Sequence, residues 1–239
     1  MTSERVALVT GGTRGIGFAV AHRLAADGLA VGISGRNEAS VRDGIERLRK
    51  AVPAGRFAGR AADARSEADQ RSLVEWTAEK LGRLDVLVNN AGIGEFDSVE
   101  KLDPERFRSV VETNLLGPYY AMHFAIPLMK KSGGGFVVNI GSLAAVNAFA
   151  GGSAYNASKF GLLGFSDAAM LDLRHQGIRV ATILPGSVAT EFGHSHGDRD
   201  HAWMLSADDV AEAVADLIRF PDRAIASRID LRPSRPPKR

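Results

Sequence analysis

The run Ser153-Ala154-Tyr155-Asn156-Ala157-Ser158-Lys159 sets a phenol and an ammonium four residues apart, which in a helix is one turn apart on the same face. A phenol near pKa 10 exchanges protons poorly at neutral pH, but a cation about 4 Å away, at an effective dielectric of ~20, contributes on the order of 4 kcal/mol toward its ionised form. Even half of that draws the phenol toward the working range of a general acid or base. Both residue types are common, so this spacing by itself fits an ordinary exposed helix equally well. The elements around the pair have to separate the two readings.

The chain has 239 residues, enough to bury one sizeable core, and its mixture of 45% hydrophobic and 24% charged residues is that of a soluble globular protein. One catalytic domain is expected over residues 1–232, followed by a basic, Pro-rich tail at 233–239. A formal charge of +2, without a Lys/Arg stripe interleaved with aromatics, argues against nucleic acid as a partner. The absence of cysteine excludes disulfides and thiolate metal sites and fits a reducing compartment. An apolar run begins at Val6 and no stretch approaches the ~20 apolar residues of a membrane span, so neither a signal peptide nor a membrane anchor is expected. The expected location is the cytoplasm.

Short β-type apolar runs alternate with longer segments of helical period, the pattern of a parallel sheet with helices on both faces. The expected fold is α/β, a doubly wound, Rossmann-like sheet of about seven strands at 6–10, 30–34, 56–61, 86–89, 135–140, 179–184 and 225–231. Helices are expected at 15–27, 38–51, 67–81, 104–130, 155–175 and 207–220. Pro104 suits a first helical turn, and Gly177 a left-handed cap. The stretch 186–205 fits neither pattern, as long functional or mobile loops do.

Between the first strand and first helix stands Thr10-Gly11-Gly12-Thr13-Arg14-Gly15-Ile16-Gly17. Glycines there allow a tight turn and let a helix N-terminus meet a pyrophosphate with its free N–H groups, although a glycine cluster can also be only a turn. Some twenty residues on, at the end of the second strand, NAD-binding chains usually carry an acid for the ribose hydroxyls. Here Gly35 holds that place and Arg36 follows, a residue suited to a 2′-phosphate, with Arg14 as a second cation. NADP(H) is therefore expected in preference to NAD(H).

Six pieces together resemble the short-chain dehydrogenase/reductase family in its compact, single-domain branch: the turn from Thr10 to Gly17, Asn89-Asn90-Ala91-Gly92, Asn114, Ser142, Tyr155 with Lys159, and Pro185-Gly186. They follow the family order and spacing. The resemblance implies that Asp63 and Ala64 border the adenine and that Asn89, Ala91 and Gly92 line the cofactor near its ribose. It places Pro185, Gly186, Val188 and Thr190 at the nicotinamide amide. Tyr155 is then proton donor in reduction and base in oxidation, Lys159 lowers its pKa and grips the nicotinamide ribose, and Ser142 holds the substrate oxygen. The same resemblance implies that Asn114 supports a water linking Lys159 to solvent. Plainer structural roles exist for several of these: a helix or turn cap for Asp63, a turn for the Asn-Asn-Ala-Gly run, a strand-end serine for Ser142, a buried polar residue for Asn114.

The resulting expectation is hydride transfer between NADP(H) and a ketone, aldehyde or 3-oxoacyl group, or the corresponding alcohol. An NADP-binding sensor without turnover and an epimerase or dehydratase using the same tyrosine are the alternatives. Glu95, Phe96, Leu143, Ala144, Asn147, Phe149 and Phe192 are candidates for a mostly apolar substrate pocket. Leu143 beside Ser142, and an ending at 229–233 without a glycine pair, argue against a housekeeping fatty-acid role. His194, His196, Asp198, Asp200 and His201 crowd one loop and are metal-ligand types, but they fall where the family keeps a substrate flap, so no metal is expected. The helix carrying Tyr119, Tyr120, Met122, His123 and Phe124, with the Tyr155 helix, resembles the family's subunit-packing pair and implies a homodimer or homotetramer.

Overall fold

The computed structural model describes residues 4–190, 192 and 202–237. Seven parallel strands form one sheet: β1 (Val6–Val9), β2 (Ala30–Gly35), β3 (Phe57–Ala61), β4 (Val86–Asn89), β5 (Gly135–Ile140), β6 (Ile178–Pro185) and β7 (Arg228–Leu231). Their spatial order is β3-β2-β1-β4-β5-β6-β7, the order of a Rossmann-like sheet. The helices are α1 (Gly15–Ala26), α2 (Glu38–Ala51), α3 (Glu67–Leu81), α4 (Pro104–Val111), α5 (Gly117–Lys131), α6 (Ser153–Leu173) and α7 (Ala207–Arg219).

Because successive strand residues point to opposite faces, β1 feeds two cores at once. Ala7 and Val9 pack with Val20 and Leu24 of α1 and Val214 of α7, while Leu8 packs with Leu73 of α3 and Met122 of α5. This two-sided burial explains why the strands read as continuous apolar runs. Helix starts follow local polar signals: Asn37 accepts from Ser40 N, Ser66 from Asp69 N, Asp103 from Glu105 N ahead of Pro104, and Ser206 with Asp209 forms a reciprocal capping box. Gly177 takes φ 71°, the left-handed conformation that closes the α6 segment.

Two elements depart from the sequence expectation. The segment 104–130 is not one regular helix, because a π-turn at Glu112–Leu116 separates α4 from α5. The turn carries Asn114 fully inward, at 0% exposure, and one extra residue in a turn leaves no mark in a hydrophobic period. The last strand is shorter than 225–231, with Ile225 solvent-exposed ahead of it. Within 186–205, Val188 bridges Leu205, tying the chain after β6 to the start of α7. Among the described residues no helix is long and apolar enough to cross a membrane.

Candidate active site

The order of the sheet reverses between β1 and β4, since β1 is followed by a crossover to β2 on one side while β4 begins the run to the other. Crevices open at the carboxyl ends of strands at such a point. A cavity of about 930 Å³ lies there, lined from the glycine turn through the end of β2 to Ser142, Tyr155 and Lys159.

At one end of this cleft the glycine turn is fixed by main-chain crowding. Gly11 and Gly15 have φ of 64° and 53°, where a side chain is strained. A Cβ on Gly17 would collide with the Gly11 carbonyl and the Asn90 amide. The first turn of α1 carries neither a side-chain cap nor an acid, and its Gly15, Ile16 and Gly17 line the cleft. That is an anion site of the kind a pyrophosphate fills. Gly35 cannot carry an acid without displacement, because a Cβ there would stand 2.7 Å from Thr13 Cγ2. Arg36 lines the cleft next to it. These residues fit a nicotinamide dinucleotide in their backbone geometry as well as in their types.

Most of the anticipated cofactor residues line this one cleft: Gly11, Thr13, Arg14, Gly15, Ile16, Gly17, Arg36, Asp63, Ala64, Ala91, Gly92, Pro185, Gly186, Val188 and Thr190. Thr190 sits over Gly15, 3.6 Å from where its Cβ would stand. Asn89 is the correction. It is 3% exposed and faces away from the cleft, its amide donating to Asn139 Oδ1 at 2.8 Å, and Asn139 in turn donates to Ser166 Oγ at 2.8 Å. Strand parity is the reason, since Asn89 shares its face of β4 with Leu87, on the α5 and α6 side of the sheet. Its neighbour Asn90 takes the cleft position, donating to the carbonyls of Thr10 (3.0 Å) and Gly11 (3.1 Å). Thr10 Oγ1 accepts from Asn90 N and Ala91 N, both at 3.1 Å, which clamps the loop after β4 to the glycine turn. Sequence reasoning missed that role for Thr10 and Asn90; alternation along β4 carried the signal.

The reacting groups converge from three elements. Ser142 follows β5 by two residues and caps a short 3-10 turn at Leu143–Ala145, accepting from Ala144 N at 3.1 Å. Its hydroxyl stands close enough to the Tyr155 phenol, presented by the first turn of α6, to favour the ionised phenol. Lys159, 5% exposed, donates to the Ile140 carbonyl at 2.9 Å, and its Nζ lies 5.8 Å from the Tyr155 ring centre. Burial pushes the Tyr155 phenol above its ordinary range, with the neighbouring Ser142 hydroxyl opposing in part. Burial also pulls Lys159 down from 10.5 to about 8. The expected lowering of the phenol by Lys159 is therefore not the dominant effect: desolvation wins, and the ammonium is aimed at a carbonyl of β5.

Asn114 does not line the cleft. Both of its amide donors are committed, to Ile93 O (2.9 Å) and Ser158 Oγ (3.0 Å), and its Oδ1 accepts from Ile93 N at 2.9 Å. Its side chain thus locks the loop after β4 to α6, directly beside Lys159, and leaves no side-chain donor for the expected water. Of the pocket candidates, Glu95 and Phe192 line the cleft. Phe96 and Phe192 flank the Tyr155 ring at centroid distances of 5.6 and 5.8 Å, and Phe149 packs on Phe96 at 6.0 Å. Leu143, Ala144 and Asn147 do not line the cleft, and Asn156 donates to the carbonyls of Ala144 (2.8 Å) and Asn147 (3.3 Å). The cluster His194, His196, Asp198, Asp200 and His201 lies outside the described residues.

The family model for short chain dehydrogenases matches residues 5–201. The chain belongs to the short-chain dehydrogenase family. Over 191 residues it is 33% identical to the 3alpha-hydroxysteroid dehydrogenase of Mediterraneibacter gnavus, covering 80% of this chain and 76% of that protein. It is 35% identical over 224 residues to the trans-4-hydroxycyclohexanecarboxylate dehydrogenase of Sinomonas cyclohexanicum, covering 91% and 85%. Among solved structures, a metagenomic short-chain oxidoreductase in complex with NADP superposes with a TM-score of 0.83 at 32% identity, covering 96% of this chain and 97% of that one. As a short-chain dehydrogenase, this protein is an oxidoreductase of alcohol and ketone substrates that uses a nicotinamide cofactor.

Proposed function

We propose that the protein is an NADP(H)-dependent oxidoreductase that interconverts an uncharged ketone or aldehyde and its alcohol, with Tyr155 as the proton donor in reduction. The observation that carries this reading is the convergence of Ser142, Tyr155 and Lys159 on one cleft, with Lys159 buried beside the Tyr155 ring. When bound, NADPH supplies the hydride. Ser142 and Tyr155 would hold the carbonyl oxygen between two hydroxyls, so that negative charge developing on that oxygen meets donors already in place. A phenol raised by burial keeps its proton at neutral pH, which suits proton delivery in reduction. In oxidation the phenol must first lose that proton. Lys159, charged below about pH 8, then stabilises the phenolate across the 5.8 Å to its ring.

Gly35 packed against Thr13, with Arg36 lining the cleft, supports NADP(H) over NAD(H), as does the NADP-bound state of the metagenomic neighbour. Phe96 and Phe192 beside Tyr155 support an apolar body on the substrate. Exposed Tyr119, Phe160 and Leu171 on α5 and α6 support a homo-oligomer, which size-exclusion chromatography with light scattering reads directly. Initial rates on simple ketones with NADPH and with NADH test the function. NADPH turnover at least tenfold more efficient is expected, and a clear preference for NADH would overturn the cofactor assignment.

A further inference from the structure

Asp63, just beyond β3, lines the cleft, and its carboxylate is paired with a single neighbour, Arg65. Arg65 donates to Oδ1 from its main-chain N (2.9 Å) and Nε (3.1 Å), and to Oδ2 from Nε (3.1 Å) and Nη2 (2.7 Å). Three N–H groups of Arg65 are thus aimed at the two carboxylate oxygens, with the Nε–H shared between them, so most of the carboxylate's acceptor capacity is directed at Arg65. The rest of residue 63 is held as firmly: its N–H donates to Asp69 Oδ2 at 2.9 Å and its carbonyl accepts from Gln70 Nε2 at 3.1 Å. Arg36, Asp63 and Arg65 line the same cleft. The Arg36 charge is felt at Asp63, and Arg65 also feels Glu112 of the π-turn.

This arrangement poses an electrostatic problem for a phosphorylated ribose. An uncommitted carboxylate within reach of the Arg36 field would draw that guanidinium toward itself and would repel a 2′-phosphate. We infer that Arg65 is a specificity-determining residue for the cofactor: by occupying the Asp63 carboxylate it leaves Arg36 available to a ribose 2′-phosphate. The inference rests on the NADP(H) reading above. Both partners are partly exposed, Arg65 at 47% and Asp63 at 37% of their side chains, so solvent screening keeps the effect modest. It also makes the effect depend on salt, being largest where the Debye length exceeds about 10 Å.

Dissociation constants for NADPH and NADH, read from nucleotide fluorescence on the unliganded protein at low salt, test the inference without turnover. Arg65→Ala is expected to weaken NADPH about fivefold and NADH less than about twofold, with the difference shrinking as salt is added. Arg65→Gln, which keeps hydrogen-bonding groups but not the charge, should move in the same direction and serves if the alanine variant folds poorly. Adding Asp63→Asn to Arg65→Ala should restore NADPH binding. Equal weakening of both nucleotides, or no rescue in the double variant, would overturn the inference alone. A wild-type protein that binds NADH as tightly as NADPH would overturn the cofactor reading, and this inference with it.

Discussion

The two ends of the cleft are both crowded, but by different kinds of neighbour. At the cofactor end a Cβ on Gly17 would run into the Gly11 main-chain carbonyl and an Asn90 amide pinned to Thr10 and Gly11. At the substrate end a Cβ on Gly94 would meet Phe96 Cζ at 2.7 Å and Phe192 Cε1 at 3.1 Å, the far edges of half-exposed rings. Main chain cannot move without moving the sheet, whereas a phenylalanine ring can rotate. The cofactor end is therefore a rigid mould and the substrate end an adaptable one. Relatives with different named substrates can share the first while varying the second.

Apart from the chemical step itself, the largest effect should come from Gly17→Ala. The added methyl group has no route of escape, so a loss of about 1–3 kcal/mol in stability is expected from overpacking, with NADPH binding weakened at least tenfold; denaturant melts and nucleotide titration read the two. Arg36→Ala should weaken NADPH by about tenfold, the equivalent of about 1.4 kcal/mol, and NADH hardly at all. Equal losses would show that Arg36 shapes the turn and does not read the phosphate. Phe96→Ala should raise KM for an apolar ketone about threefold to tenfold, in line with the loss of one aromatic contact. Gly94→Ala should change stability by less than about 0.5 kcal/mol while altering the ranking of ketones. A Gly94→Ala variant as unstable as Gly17→Ala would erase the contrast between the two ends.

Lys159 adds a pH signature belonging to the shared floor of the cleft. Its folded pKa of about 8 lies below the ordinary 10.5, so between these values the unfolded chain binds more protons than the folded one, and stability rises with pH across that window. The burial cost of the ammonium is fully present below pH 8 and is relieved as pH approaches 10. Denaturant melts of the unliganded wild type against Lys159→Met at pH 7.5 and 9.5 should show the wild type gaining on the variant by about 1–3 kcal/mol. A constant difference would place the Lys159 charge in solvent.

Legibility in the sequence followed the same division. The glycine turn, the strand-helix alternation and the Tyr155-Lys159 pair were readable because backbone geometry demands particular residue types there. Asn89 was misplaced by one residue because a motif gives adjacency but not strand parity, while the alternation of Val86, Leu87 and Val88 between the two cores would have corrected it. The π-turn at Glu112–Leu116 and the Asp63-Arg65 pairing were not legible: the first adds a residue without breaking the apolar pattern, and the second depends on a side-chain conformation. Phe96, Phe149 and Phe192 fall at pocket positions in the sequence, but nothing in their spacing shows that two of them flank the phenol.

The central claim, that Tyr155 delivers the proton beside a bound NADPH, is tested most directly by Tyr155→Phe assayed for ketone reduction with NADPH, alongside nucleotide titration of the same preparation. General acid catalysis contributes about 10²–10⁴-fold. The account predicts a fall in kcat of about a thousandfold, with the NADPH dissociation constant within about threefold of wild type. Turnover within about threefold of wild type would contradict it.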